Sequence, residues 1–199
     1  MELGEIYLLR HGETQWSKSG QHTGRTDIPL TEAGRKRASE VAPMLARVTF
    51  AEVLCSPLSR AQDTAKLAGL TPDGFTDDLL EWDYGIYEGR TTAEIRAETG
   101  DPNWVIWDAP IPEGESPEGV SARARRVLDH VQPQIEAGEN VMLVAHGHLL
   151  RILSATYLGL APRSGRLFAL DPGGIAVLSH ERTQPVIGGW NINPDGLSD

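Results

Sequence analysis

The chain has 199 residues, with 28 acidic against 18 basic side chains and a formal net charge of −10. Hydrophobic residues make up 40% and charged residues 23%, the mix of a soluble globular chain long enough to bury its own core. This balance excludes the basic face of a nucleic-acid binder and attraction to anionic membranes, and the single Cys55 excludes an internal disulfide or a cysteine-rich zinc site.

Residues 1–10 place Glu2, Glu5 and Arg10 around a short apolar run, which is not a signal peptide, so a cytoplasmic setting is expected. No apolar stretch reaches the ~20 residues of a membrane span. Ile6-Tyr7-Leu8-Leu9 reads as a buried strand running into Arg10-His11-Gly12. Thr31 caps a helix whose apolar positions Ala38, Val41, Ala42 and Leu45 recur at helical spacing. Val53-Leu54-Cys55 is a second strand, followed by a helix over residues 59–70. Ser116-Pro117 opens a long helix with Val120, Ala124, Val127, Leu128 and Val131 on one face. The run 141–145 is the most apolar strand, and residues 147–157 form the helix behind it. Two further strands are expected at 166–170 and 175–179, and the tail 191–199 reads as frayed. Apolar strands alternating with helices predict an α/β fold, a three-layer α/β/α sandwich around a mainly parallel sheet. Ligands then bind beyond the carboxyl ends of the strands.

Three strands end in polar residues there: Arg10-His11-Gly12-Glu13, Ser56 with Arg60 one turn later, and His146-Gly147-His148. A lone histidine at a strand end is usually structural. Two histidines and two arginines at matched positions are hard to explain as core. They suit phosphoryl transfer: a phosphate monoester is a dianion that needs fixed cations and N–H donors around its oxygens. Helix N-termini after His146 and near Ser59 add backbone amides. One imidazole attacks phosphorus and the other steadies the equatorial charge. The sequence has no P-loop, so nucleotide hydrolysis by that route is not expected. The leaving alkoxide needs a proton, and Glu81 and Glu88 are the candidate acids.

The charge is unevenly placed. Residues 73–118 hold 13 acidic and two basic side chains, net −11, which leaves the remainder at +1. Trp82, Trp104 and Trp107 lie in this segment. It reads either as a solvated surface insertion or as a cap over the site with its aromatics turned inward. The whole chain is taken as one domain, 1–199, carrying this insertion.

The motif Leu9-Arg10-His11-Gly12-Glu13-Thr14 resembles the signature of the histidine phosphatase, or phosphoglycerate-mutase-like, superfamily. The resemblance continues through Thr23-Gly24, Asp27, Leu30-Thr31, Ser56-Pro57-Leu58-Ser59-Arg60-Ala61, Glu81 to Glu88-Gly89, Gly114-Glu115-Ser116 and Val144-Ala145-His146-Gly147. It implies that His11 is the phosphorylated nucleophile, that Arg10, Arg60 and His146 complete the phosphate pocket, and that Glu81 is the general acid and base. Gly147 and Ser17 are implied as further phosphate contacts. His22, Thr23, Gly24, Tyr84 and His148 are the candidate substrate contacts, while Glu88-Gly89 is structural. The resemblance implies no metal and no organic cofactor. The stretch from Trp16 to Thr31, with Glu81-Trp82-Asp83-Tyr84-Gly85 and Gly173-Gly174-Ile175-Ala176-Val177-Leu178-Ser179, is similar to the sedoheptulose-1,7-bisphosphatase branch and to bacterial broad-specificity acid phosphatases.

There are departures. Ser17 stands where many members have Asn, and His148 replaces the Asn of glycolytic mutases. The segment 73–118 lacks the Lys and paired Arg of those mutases, so hydrolysis of small phosphorylated metabolites, sugar phosphates first, is expected over mutase activity. An inactive phosphate-binding or sensor domain is the reading from another class, and the nucleophile and acid together argue against it. A bisphosphate would need a second cationic patch, for which Arg25, Arg90, Arg163 and Arg166 are candidates. A homodimer contact through an edge strand at 166–170 is a further expectation.

Overall fold

The computed structural model describes residues 3–194. In chain order these form β1 (Ile6–Arg10), α1 (Gln15–Ser19), α2 (Glu32–Glu40), α3 (Ala42–Leu45), β2 (Phe50–Cys55), α4 (Ser59–Leu67), β3 (Gly74–Phe75), α5 (Thr92–Thr99), α6 (Pro117–Glu136), β4 (Asn140–Ala145), α7 (Gly147–Tyr157), β5 (Ile175–Glu181) and β6 (Gln184–Ile192). Short 3₁₀ turns occupy Asp77–Leu79, Gly85–Tyr87 and Pro162–Leu167.

Period-two alternation along the central strands creates two cores. On β4, Val141, Leu143 and Ala145 point to one face, where they meet Val120, Ala124 and Leu128 of α6 and Leu149, Leu150 and Leu153 of α7. Met142 and Val144 point to the other face, against Ala61 and Ala65 of α4 and Val41 and Leu45 beside α2 and α3. The strand order is β3-β2-β4-β1-β5-β6. The first four strands run parallel, and β5 and β6 add an antiparallel edge, giving a mixed six-stranded sheet between helical layers. Arg10 pairs with Ala145 and Cys55 with Val144, so β1, β2 and β4 end at one level. That register puts the three polar strand ends side by side.

Several boundaries differ from the sequence reading. The helix after Thr31 is broken at Val41, with Pro43 opening the short α3, and α4 stops at Leu67 rather than at residue 70. No strand forms at 166–170. Pro162 starts a 3₁₀ turn, and Gly165 packs so closely on the Arg151 backbone that a Cβ would stand 2.9 Å from its carbonyl carbon. The apolar run after it is not a buried strand, since Leu167 is 75% exposed. The proposed dimer contact therefore loses the edge strand on which it rested. The true antiparallel edge is β6, joined to β5 through Arg182 at φ 61°. Asn191 and Ile192 belong to β6 rather than to a frayed tail, and 195–199 lie outside the described residues.

The acidic segment 73–118 buries Leu79, Trp82, Tyr84, Tyr87, Ile95, Trp104, Ile106 and Trp107 as an extension of the α6–α7 core. Most of its carboxylates face solvent; Glu81 is buried. Among the described residues no helix is long and apolar enough to cross a membrane.

Candidate active site

The strand ends are tied together by backbone. The His11 N–H donates to the Ala145 carbonyl and the Ser56 N–H to that of Val144, both at 2.9 Å. His11 is buried, and its Nδ1 lies 2.7 Å from its neighbour's carbonyl, Gly12 O. A carbonyl only accepts, so Nδ1 carries the proton and the lone pair is on Nε2. Burial, then the charges of Arg60 and Arg10, hold this imidazole well below the usual histidine range, so it is neutral. His11 lines a cavity of about 410 Å³.

Arg10 lines the same cavity. Its Nη1 donates to Leu170 O at 2.5 Å, and its Nε is buried with no hydrogen-bond partner. A buried guanidinium N–H is costly to leave unpaired, which marks Arg10 as a candidate anion contact. The guanidinium packs against Gly147, where a Cβ would sit 3.1 Å from Arg10 Cζ. Gly147 is thus needed for space, and it supplies the first amide of α7, a donor that the helix itself cannot satisfy.

Arg60 and His146 stand one layer deeper and are not among the cavity-lining residues. Arg60 donates from Nε to His146 Nδ1 at 3.2 Å, from Nη1 to Thr26 O and from Nη2 to Gly24 O, both at 2.8 Å. His146 Nδ1 therefore accepts, and its Nε2 donates to Ser56 Oγ at 2.7 Å. The two histidine rings are 5.1 Å apart. Burial first, and Arg60 next, keep His146 neutral as well. Thr64 Oγ1 receives the Gly12 N–H, and Asp27 accepts from Ser59 N and Oγ at the start of α4. None of these partners is near in sequence, so the charges could be read from the sequence but their wiring could not.

Glu81 is 5% exposed and sits at the N-terminus of α7. Its Oε1 accepts from the Trp82 and Leu149 amides at 2.8 Å and its Oε2 from the His148 amide at 3.0 Å. Three N–H donors fix the carboxylate at the cavity wall. Glu88 is bound elsewhere, accepting from Gly24 N and Thr26 N at 3.0 Å, and it shapes the loop that holds Thr23 and Gly24.

The rest of the wall mixes rings and aliphatic groups: His22, Tyr84, Val105, Ile106, Trp107 and His148. The Tyr84 hydroxyl lies 2.5 Å from His148 Nδ1. Burial, reinforced by Glu81 and Glu88, pushes Tyr84 well above its usual range, and burial with Arg151 holds His148 well below its own, so both are neutral. His22 packs on Tyr84 and Trp104; burial lowers it to about 4, and its Nε2 has no partner. Thr23 and Ser17 also line the cavity, with the Ser17 hydroxyl engaged in the capping box with Thr14. Gly24 is set back from the wall, where a Cβ would meet Trp82 O at 2.6 Å. Among the described residues no group of three or more His, Cys, Asp or Glu side chains is placed to hold a metal ion.

One charged lining residue escaped the sequence reading, as did the uncharged Gly20, Gln21, Thr92, Val105 and Ile106: Arg151 of α7, whose guanidinium lies 4.8 Å from the Trp107 ring centroid. A lone charge three residues after His148 in an otherwise apolar helix was the available signal. The arginines considered for a second anion site lie off the cavity wall. Arg25 pairs with Asp83 and Glu115, Arg90 with Glu98, Arg163 with Asp108 and Glu118, and Arg166 with Asp108.

Residues 6–193 match the family model of the histidine phosphatase superfamily, branch 1. The chain is 40% identical over 182 residues to an acid phosphatase of Mycobacterium tuberculosis, covering 88% of this chain and 86% of that protein. It is 34% identical over 184 residues to the sedoheptulose 1,7-bisphosphatase of Saccharomyces cerevisiae, covering 77% of this chain and 67% of that protein. Among solved structures, that of a Mycobacterium tuberculosis open reading frame superposes with a TM-score of 0.90 at 36% identity, covering 96% of this chain and 98% of the other.

Proposed function

The chain belongs to the histidine phosphatase superfamily and is a phosphoric monoester hydrolase; on that premise we propose that it hydrolyses small phosphorylated metabolites, sugar phosphates among them, through a phosphohistidine on His11. The observation that carries the reading is the His11 tautomer. A neutral ring with Nδ1–H tied to Gly12 O leaves the Nε2 lone pair for phosphorus, beside the unpartnered Nε of Arg10.

In the first half-reaction His11 Nε2 forms the N–P bond, the ester P–O bond breaks, and the leaving oxygen takes the proton carried by Glu81. In the second, water attacks phosphorus, Glu81 takes its proton, and the N–P bond breaks to release inorganic phosphate. Arg10 and the Gly147 amide receive the non-bridging oxygens, while Arg60 adds fixed positive charge from beneath.

His11→Ala tests this. Turnover and acid-labile phosphate labelling of the protein are both expected to disappear, a loss on the order of 10⁴-fold or more in kcat, with the fold retained by circular dichroism. Hydrolysis at the parent rate would sink the mechanism. A parent enzyme that isomerises 3-phosphoglycerate while releasing little free phosphate would replace the hydrolase reading with the mutase.

A further inference from the structure

We propose that the ion pair between Arg123 of α6 and Glu115 positions the general acid, clamping the main chain of Glu81 so that its carboxyl is aimed at the leaving oxygen. The proposal rests on the hydrolase reading above and adds the residues that aim its proton.

Glu81 needs two anchors. Its carboxylate is held by the Trp82, His148 and Leu149 amides. Its main chain needs a separate hold, because residues 81–84 form neither helix nor strand and so have no ladder of their own. Arg123 supplies that hold. It is buried, and its Nη1 donates to Asp78 O and Leu80 O, both at 2.9 Å, while its Nη2 reaches Glu81 O at 3.4 Å. The same guanidinium grips Glu115 side-on, from Nε to Oε1 at 2.8 Å and from Nη2 to Oε2 at 2.9 Å. A bidentate pair of this kind fixes the plane of all the donors.

Glu115 closes the clamp from the other side. Its Oε2 accepts from the Asp83 amide at 3.1 Å, its own N–H donates to Asp83 O at 3.0 Å, and its carbonyl accepts from Trp82 Nε1 at 2.8 Å. Each residue from Leu80 to Asp83 is thereby bound to the pair, through main chain or ring. Burial would raise the Glu115 carboxyl, but the hydrogen bonds and charge of Arg123 outweigh it and hold Glu115 below the usual carboxylate range. Its Oε2 also receives Arg25 Nη2 at 3.3 Å, from the loop whose Gly24 and Thr26 carbonyls hold Arg60. One carboxylate therefore ties the segment of the acid to the phosphate floor.

Neither Arg123 nor Glu115 lines the active-site cavity, so neither touches substrate, and their effect passes through Glu81. Removing the guanidinium strips three carbonyls and a carboxylate of their donor, and the segment must shift to satisfy them. A misplacement of about 1 Å at a reacting group costs on the order of 10²-fold. That loss falls on the step that needs the proton.

The test compares kcat/KM, which reports the step in which the leaving group departs, for glycerol 3-phosphate and p-nitrophenyl phosphate. The alkoxide of the first needs a proton and the phenolate of the second does not. The ratio of the two is expected to fall at least fivefold in Arg123→Met, with Arg123→Lys between it and the parent. A smaller fall overturns the proposal, because general damage lowers both substrates together and leaves the ratio standing. Glu115→Gln keeps the size of the side chain and is expected to act in the same direction; it decides by the same threshold if Arg123→Met fails to fold. Glu81→Gln is the control. In that background Arg123→Met is expected to leave the ratio unchanged, and a further fivefold fall would show a route that bypasses Glu81 and overturn the proposal. If Glu81→Gln lowers both substrates equally, the acid assignment fails and takes the proposal with it. If Glu81→Gln is selective and Arg123→Met is not, the proposal fails alone.

Discussion

The two sides of the cavity are built by opposite rules. The floor, where β1, β2 and β4 end, is wired by hydrogen bonds. Arg60 spends its donors on His146, Thr26 and Gly24, and both ring nitrogens of His146 are engaged. The wall, supplied by the acidic segment and α7, is built from packed rings. Tyr84, Trp107 and His148 meet edge to face, and His22 keeps an unpartnered nitrogen. A hydrogen-bonded floor fixes positions for one reaction, since each displaced donor would leave a buried group unsatisfied. A wall of rings constrains shape and tolerates exchange. Chemistry and selectivity are thereby assigned to different physical forces.

That contrast can be tested first at Glu81, a wall residue that is held, like the floor, by hydrogen bonds. Glu81→Gln keeps the size of the side chain but removes the transferable proton and turns an amide donor toward the α7 amides. Hydrolysis of an alkyl phosphate is expected to fall 10²- to 10⁴-fold, and that of p-nitrophenyl phosphate much less, because its leaving group needs no proton. Equal losses on both substrates would remove Glu81 from proton transfer.

A pH titration of stability examines the wall next. His22 has a folded pKa near 4, below its unfolded value of about 6.5. Above pH 6.5 neither state binds the proton. As pH falls from 6.5 toward 4 the unfolded chain takes it and the native chain does not, so stability drops by up to about 3 kcal/mol. His11, His146 and His148 shift in the same direction and add to the loss. Urea midpoints at several pH values check this, and His22→Gln should flatten the curve. A slope that is the same in both proteins would show that His22 titrates freely.

The smallest effect is expected from the half-buried part of the wall. Val105→Ala trims a side chain that lines the cavity, and KM should shift about two- to fivefold with a lesser effect on kcat, the usual scale for one or two methyl groups in a pocket. A larger loss in kcat than in KM would mean that the wall, and not the floor alone, positions the reacting atoms.

What was legible in the sequence follows the range of the interactions. The buried strands of the parallel core are continuous apolar runs, so β1, β2 and β4 and the polar residues at their ends could be read directly. β6 escaped because Pro185 and Gly188-Gly189 spoil its alternation; an edge strand with register shifts tolerates them. The run 166–170 misled for the opposite reason, since Leu167 and Phe168 look like strand residues but Leu167 ends a Pro-initiated 3₁₀ turn and Phe168 caps it. Within the site, the residue types of Arg10, His11, Arg60, Glu81 and His146 could be read. That Glu81 caps α7 across 67 and 68 residues, or that Arg60 meets His146 across 86, depends on tertiary packing that no local pattern encodes.

The stretch from Gly165 to Leu170 presents three main-chain carbonyls to the cavity arginines: two hold Arg151 and one holds Arg10. A carbonyl survives almost any change of side chain, so this stretch can vary in identity without loosening either guanidinium, Gly165 excepted. It cannot vary in length. Inserting or deleting one residue there would move both cations out of register at once. The feature that looks most like an ordinary surface loop is therefore a spacer, and the quantity it sets is the distance between two positive charges.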